Sequence, residues 1–196
     1  MKCDILGLQE VNLVSNDCYN HNQLEDIDKT NEYHHLIAKA QLPLREKLNK
    51  ESNIDGNAIF CRKTYLENID RTLKHQVMHL SFNNCCQLVT FSVKDVKIYT
   101  VNLNLNNLYE DESIREFQIK NILNWLDTFT TKKDIVVLLG GFNFTPESQT
   151  YKYITDQGFK SCYFNKKYKE PEFTLHKKIE SNFKRIGSEG CYDYIL

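Results

Sequence analysis

At 196 residues, with 41% hydrophobic residues and only 3 Pro and 7 Gly, the chain suits one packed domain and is too poor in chain breakers for a disordered tail protein. Its net charge of -1, with Lys and Arg spread among acids, argues against a nucleic-acid grip, and the densest basic cluster, Lys166-Lys167-Tyr168-Lys169, reads as a solvated loop. The 7 Cys, an odd number with no CxxC pair, read as small core residues of an intracellular, reducing compartment rather than as a disulfide framework or a zinc site. No secretory leader is visible, and no apolar run approaches the roughly 20 residues needed to span a bilayer, so membrane insertion is not expected.

The pattern alternates strands and helices. Residues 3–8 (CDILGL) predict a short buried strand, and a polar, weakly helical stretch follows to about Thr30. Residues 35–40 predict the next strand, and a polar loop follows over 41–55. Residues 56–62 (GNAIFCR), 86–93 (CQLVTFSV) and 96–103 (VKIYTVNL) are strand-like, with Lys94-Asp95 as a tight hairpin turn between the last two.

Residues 111–129 predict the clearest helix, with Ile114, Phe117, Ile122, Trp125, Leu126 and Phe129 near one face and Asp111 as its cap. Residues 135–139 (IVVLL) predict a fully buried strand. Gly140-Gly141 then turns the chain toward a short helix at 148–156, and 192–196 are again strand-like. Hairpins mixed with strand–helix units point to stacked sheets flanked by helices in a single domain over 1–196.

Four segments, in order, sharpen this outline: DILGLQEV (4–11), DGNAIFCRK (55–63), VLLGGFNFTP (137–146, followed by Ser148 and Tyr151) and YDYIL (192–196). Between the second and third lie VNLNL (101–105) and then Arg115 and Gln118 on a helix. Each segment alone is weak. Together, in this order, they resemble the endonuclease/exonuclease/phosphatase superfamily, with DGNAIF and CYDYIL similar to its deadenylase-like and sphingomyelinase-like branches. The resemblance implies an α/β fold: a four-layer α-β-β-α sandwich of two packed mixed sheets with flanking helices. It also implies magnesium-dependent cleavage of phosphoesters at one end of the sandwich. That chemistry needs hard oxygen ligands, a carboxylate to deprotonate the attacking water, and donors aimed at the charge developing on phosphorus.

By this resemblance Glu10 is the metal-binding glutamate and Asn143 the asparagine that orients the phosphate. The residue two before Asn143 would be the catalytic aspartate, and it is Gly141, which can neither accept a proton nor orient water. Asn102 occupies the position of a catalytic histidine, and it cannot carry a proton or a positive charge. Asp193 matches the aspartate that orients a second histidine, from a Ser-Asp-His triplet that this sequence does not contain. The family's opening strand, whose asparagine joins the metal site, is likewise not in the sequence. One strand is therefore expected to be lacking at each terminus.

His75 and His79 have the i, i+4 spacing of a helical zinc pair, but the resemblance puts them in or beside a strand, where that spacing does not converge. The resulting expectation is a degenerate, non-catalytic protein that serves as a subunit of a larger complex. Another polypeptide would cover the sheet edges beside 3–8 and 192–196, and magnesium binding would be weak or absent. The alternatives are a magnesium-dependent phosphodiesterase or nuclease completed by another segment or chain, and a relic that holds a phosphate or nucleotide without cleaving it.

Overall fold

The computed structural model describes residues 3–14, 23–39, 54–67, 73–81, 84–107, 111–163, 169–172, 174 and 190–196. Cys18, most of the 41–55 loop, His176 and Lys166 to Tyr168 of the basic cluster lie outside the described residues.

Two sheets of unequal width stack face to face. The narrow one holds β1 (Ile5–Val14), β2 (Tyr33–Lys39) and β3 (Ile54–Arg62), in the order β1-β3-β2 with both pairings antiparallel. The wide one holds β4 (Lys74–His79), β5 (Cys85–Val93), β6 (Val96–Asn104), β7 (Ile135–Gly141) and β8 (Asp193–Ile195), in sequence order. Only β6 and β7 run parallel. Their connection carries the long helix α3 (Glu112–Asp127), as a parallel crossover requires. Thus the wide sheet is mixed as expected, and the narrow one is purely antiparallel among the described residues.

α3 and α4 (Gln149–Asp156) cover the outer face of the wide sheet, and the short α1 (Gln23–Ile27) packs Leu24 on the outer face of the narrow one, while α2 (Lys63–Glu67) follows β3 directly and packs Tyr65 and Leu66 against the cluster between the sheets. These are the four layers of an α-β-β-α sandwich.

Strand alternation divides the side chains cleanly. On the wide sheet Tyr99, Val101, Leu103, Leu138, Tyr194 and Leu196 face the helices and pack with Ile119, Ile122, Leu126 and Ile154. The intervening residues face the narrow sheet, where Val89, Phe91 and Ile98 meet Ile5, Ile59 and Cys61. Polar ties cross the same interface. Asn57 Nδ2 donates to Cys85 O at 2.9 Å, and Gln87 Nε2 donates to Leu36 O at 2.6 Å.

β5 and β6 form the expected hairpin, with Val93 opposite Val96. Lys94, at its tip, takes the left-handed backbone (φ 55°) that two-residue hairpins need.

The sequence patterns differ from the structure in a few places. Phe117 is 57% exposed and lies off the buried face of α3, which is made by Arg115, Gln118, Ile119, Ile122, Leu123 and Leu126. Asp111 occupies the N-cap, but its side chain makes no capping hydrogen bond, and its carbonyl accepts from Ile114 and Arg115 instead. Ser148 does cap α4, accepting from the Tyr151 amide at 3.0 Å.

Candidate functional site

The candidate site lies at the end of the sandwich where β6 and β7 finish and β8 begins. β1 reaches it through a bulge. Its register with β3 shifts between Leu8 and Val11, and Glu10 adopts a left-handed backbone (φ 54°). Bulges re-aim side chains in this way. Here the Glu10 carboxylate is turned onto β6, where Oε1 accepts from Asn104 Nδ2 at 3.3 Å.

Asn143, just past β7, is also left-handed (φ 56°). Its Nδ2 donates to Leu105 O at 2.8 Å and to Asn104 Oδ1 at 3.4 Å, so both amide protons are committed within the protein. Glu10 and Asn143 are two of the four described non-glycine residues with a left-handed backbone, the others being Asn31 and Lys94.

Gly141 and Asp193 face each other across the β7–β8 pairing. A Cβ placed on Gly141 would lie 3.1 Å from Asn104 Oδ1, 3.6 Å from Asp193 Oδ1 and 3.8 Å from Asn143 Nδ2. Gly141 therefore sits at the centre of a ring of polar side chains and contributes only backbone to it.

The Asp193 carboxylate accepts the Thr174 hydroxyl proton at 2.6 Å, and the same hydroxyl oxygen accepts from the amides of Tyr192 and Asp193 at 3.1 and 3.2 Å. Thr174 thus takes a place beside Asp193. It comes from a distant stretch of chain and carries no motif that would have revealed it.

Glu10, Asn143 and Asp193 come to this one end of the fold, with Gly141 between them. Asn102 does not. It is fully buried between the sheets, where Nδ2 donates to Leu8 O at 3.0 Å and Ala58 O at 3.1 Å, and Oδ1 accepts from Gln9 Nε2 at 2.5 Å. The β6 residue at the site is Asn104, two positions further on. Side chains two apart on a strand share a face but lie roughly 7 Å apart along it. Asn102 therefore points at β1 and β3, and Asn104 clears their edge.

Arg115 and Gln118 brace the loop that follows β6. Gln118 Oε1 accepts from the Asn106 amide at 2.9 Å while its Nε2 donates to Ser81 O at 2.9 Å, and Arg115 Nη1 donates to Asn106 O at 3.3 Å. Burial lowers the Arg115 guanidinium's proton affinity, and the nearby Glu112 opposes that shift.

No three His, Cys, Asp or Glu residues come together as a metal-binding group among the described residues. Of the site carboxylates, Glu10 is engaged by Asn104 and Asp193 by Thr174. His75 and His79 both lie on β4, and His75 Nε2 is 3.0 Å from Gln87 Nε2.

No protein-family model matches the sequence, and no curated protein is significantly similar to it. Solved structures are similar in fold. The human nocturnin catalytic domain with bound sulfate aligns at TM-score 0.68 and 20% identity, over 98% of this chain and 68% of that one. An endonuclease/exonuclease/phosphatase family protein from Leptotrichia buccalis aligns at TM-score 0.68 and 18% identity, over 98% and 74%. TDP2 from C. elegans aligns at TM-score 0.63 and 20% identity, over 98% of this chain and 53% of that one. The two stacked sheets, their flanking helices and these alignments together show that the chain has the fold of the endonuclease/exonuclease/phosphatase superfamily.

Proposed function

We propose that the chain is a non-catalytic protein of this fold that works as an interaction subunit. The observation that carries this reading is Gly141. Asn104, Asn143 and Asp193 surround a residue with no side chain, with Glu10 bonded to Asn104, so no described carboxylate stands at the position of Gly141 to take a proton from water. The β6 residue at the ring is an asparagine, which donates a hydrogen bond but cannot shuttle a proton. Losing both a positioned base and a titratable partner removes several orders of magnitude in rate.

A second reading keeps the chain as a magnesium-dependent phosphodiesterase completed by residues from another segment or chain. It is favoured by the left-handed backbones of Glu10 and Asn143, which still aim side chains at the ring. ANGEL2, a 2',3'-cyclic phosphatase, is among the structures of similar fold, at TM-score 0.57 and 18% identity. Under this reading the substrate class is a phosphoester.

Hydrolysis assays decide between the two. Purified chain is incubated with single-stranded RNA, a 2',3'-cyclic nucleotide and bis-p-nitrophenyl phosphate in magnesium, beside Gly141→Asp and Glu10→Ala. The first reading expects wild-type turnover at background. Wild-type turnover that Glu10→Ala abolishes would overturn it.

A further inference from the structure

A single interior side chain ties three strands together. Gln87 of β5 is fully buried. Its Nε2 lies 2.6 Å from Leu36 O of β2 and 3.0 Å from His75 Nε2 of β4. A carbonyl oxygen can only accept, so the amide nitrogen is fixed in place and gives its second proton to His75. The imidazole is therefore neutral there, with its own proton on Nδ1. The β4–β5 register pairs His75 with Val89 and Val77 with Gln87, which makes His75 and Gln87 diagonal neighbours on one face. On that same face Val89 meets Ile59 and Cys61 of the narrow sheet. The three groups thus span the inter-sheet interface, with β4 and β5 on one side and β2 on the other.

This arrangement has no room for a second proton on the imidazole. Protonated His75 would present Nε2–H to the Gln87 amide protons at 3.0 Å, donor against donor. Two movements relieve the conflict. Turning the Gln87 amide sets its oxygen 2.6 Å from Leu36 O and gives up that bond. Turning the His75 ring outward gives up one bond only, and His75 is already half-buried. The ring is therefore the part that moves. Gln87 Oε1 has no hydrogen-bond partner among the described residues even with His75 in place. Once the ring leaves, the buried amide keeps Leu36 O alone, and so poorly matched a group draws water in between β2 and β4.

We propose that His75, Gln87 and the Leu36 carbonyl form a pH-sensitive clasp, which holds β4 to β2 across the interface while His75 is neutral and opens that side of the sandwich when His75 takes up a proton. The titratable side chains on the surrounding surfaces are His34 of β2, His79 of β4, Cys85 of β5 and Tyr65 of α2, which meets Phe91 edge-on. Lys74 of β4 and His35 and Lys39 of β2 project from the opposite faces of their strands. Burial alone lowers the His75 proton affinity, with no neighbouring charge contributing. The open form, with its ring in water, then binds the proton more readily than the closed one. The clasp is closed above the ordinary value of 6.5 and opens as pH falls below it toward the lowered value. One proton drives the change, so the opening constant rises by at most about tenfold per pH unit. Neither state depends on the ring around Gly141.

The test follows the full, isotopically labelled chain by NMR from about pH 8 to about pH 5, the range that brackets histidine titration. At the upper end the His75 ring nitrogens should report the Nδ1–H tautomer, and the Gln87 side-chain protons should exchange slowly. On acidification the His75 ring and the Gln87 amide should titrate with a shared midpoint. Hydrogen-exchange protection of the β4 backbone amides should fall over the same range, by up to about tenfold per pH unit. In His75→Phe, which keeps a ring and removes the titrating nitrogen, the acid step in the Gln87 signals should vanish, whereas in His79→Gln it should persist. The wild-type titration decides the matter by itself if His75→Phe does not fold. The proposal is overturned if the His75 ring is the Nε2–H tautomer at neutral pH, if the Gln87 signals do not follow it, or if β4 protection is indifferent to its titration. It is also overturned if the acid step survives in His75→Phe or is lost in His79→Gln.

Discussion

Asn102 and Asn104 lie two residues apart on one strand, yet their replacement by alanine is expected to have very different effects on stability. Asn102 is fully buried and makes three hydrogen bonds that join β6 to β1 and β3. Each such bond contributes about 0.5–1.5 kcal/mol net. The carbonyls of Leu8 and Ala58 keep their ladder partners in the variant, and the half-buried Gln9 amide can turn to water, so no group is stranded at full penalty. Together with the small cavity left behind, Asn102→Ala should cost about 2–4 kcal/mol. With a urea m-value of about 2 kcal/mol/M for a chain of this size, the unfolding midpoint should fall by about 1–2 M. Asn104 is half-buried, and its two side-chain contacts are long, at 3.3 and 3.4 Å. Asn104→Ala should cost less than about 1 kcal/mol. Urea unfolding followed by circular dichroism measures both. Equal shifts, or a shift for Asn102→Ala within error of zero, would refute the assignment of Asn102 to the sheet interface.

Calorimetric titration should show weak magnesium binding to the wild type and tighter binding to Gly141→Asp, whose Cβ meets only side-chain atoms, none nearer than 3.1 Å. A tight wild-type site that Glu10→Ala abolishes would contradict this. Gln87 Nε2 donates to Leu36 O and contacts His75 Nε2, which fixes His75 as the neutral Nδ1–H tautomer, and burial lowers its pKa below the ordinary 6.5. The unfolded chain then binds the proton more readily, so stability is fully present above pH 6.5 and declines as pH falls toward the folded pKa. Thermal melts of wild type and His75→Leu across that window should converge on the acid side, and parallel curves would argue against it. Burial pushes the Cys61 and Cys85 thiols up to about 11 and Cys86 to about 12, whereas Cys162 is exposed. Brief iodoacetamide treatment of native protein at neutral pH should therefore label Cys162 and spare those three, as peptide mass mapping would show.

The strands that carry much of the core were legible because their β-branched and aromatic runs are long and bounded by turn residues. β4 (KHQVMH) shows no such run. It is an edge strand whose place is fixed by pairing with β5, Met78 opposite Cys86, and that pairing is not local in sequence. α2 is 5 residues long, too short to display a helical period. Phe117 matched the apolar stripe of α3 by spacing, but polar Arg115 and Gln118 took the buried face in order to hold the loop after β6. The motifs also anticipate that Glu10, Asn143 and Asp193 lie at one end of the fold. The VNLNL segment could not be resolved in the same way, since both asparagines share a strand face. Which one is buried depends on how far β1 and β3 extend over β6. Thr174 reaches Asp193 by a non-local approach that no short motif encodes.

The β5–β6 hairpin tip has a practical consequence. Val96 and Asn104 are the two ends of β6, and at about 3.3 Å per residue they are roughly 26 Å apart. Lys94 and Asp95 are exposed at the far pole from the polar ring. Exposed loop tips of this kind tolerate insertions well. A small fluorescent tag spliced between Lys94 and Asp95 would report on the integrity of the sandwich, and so allow folding to be followed in living cells, while standing well away from the ring around Gly141.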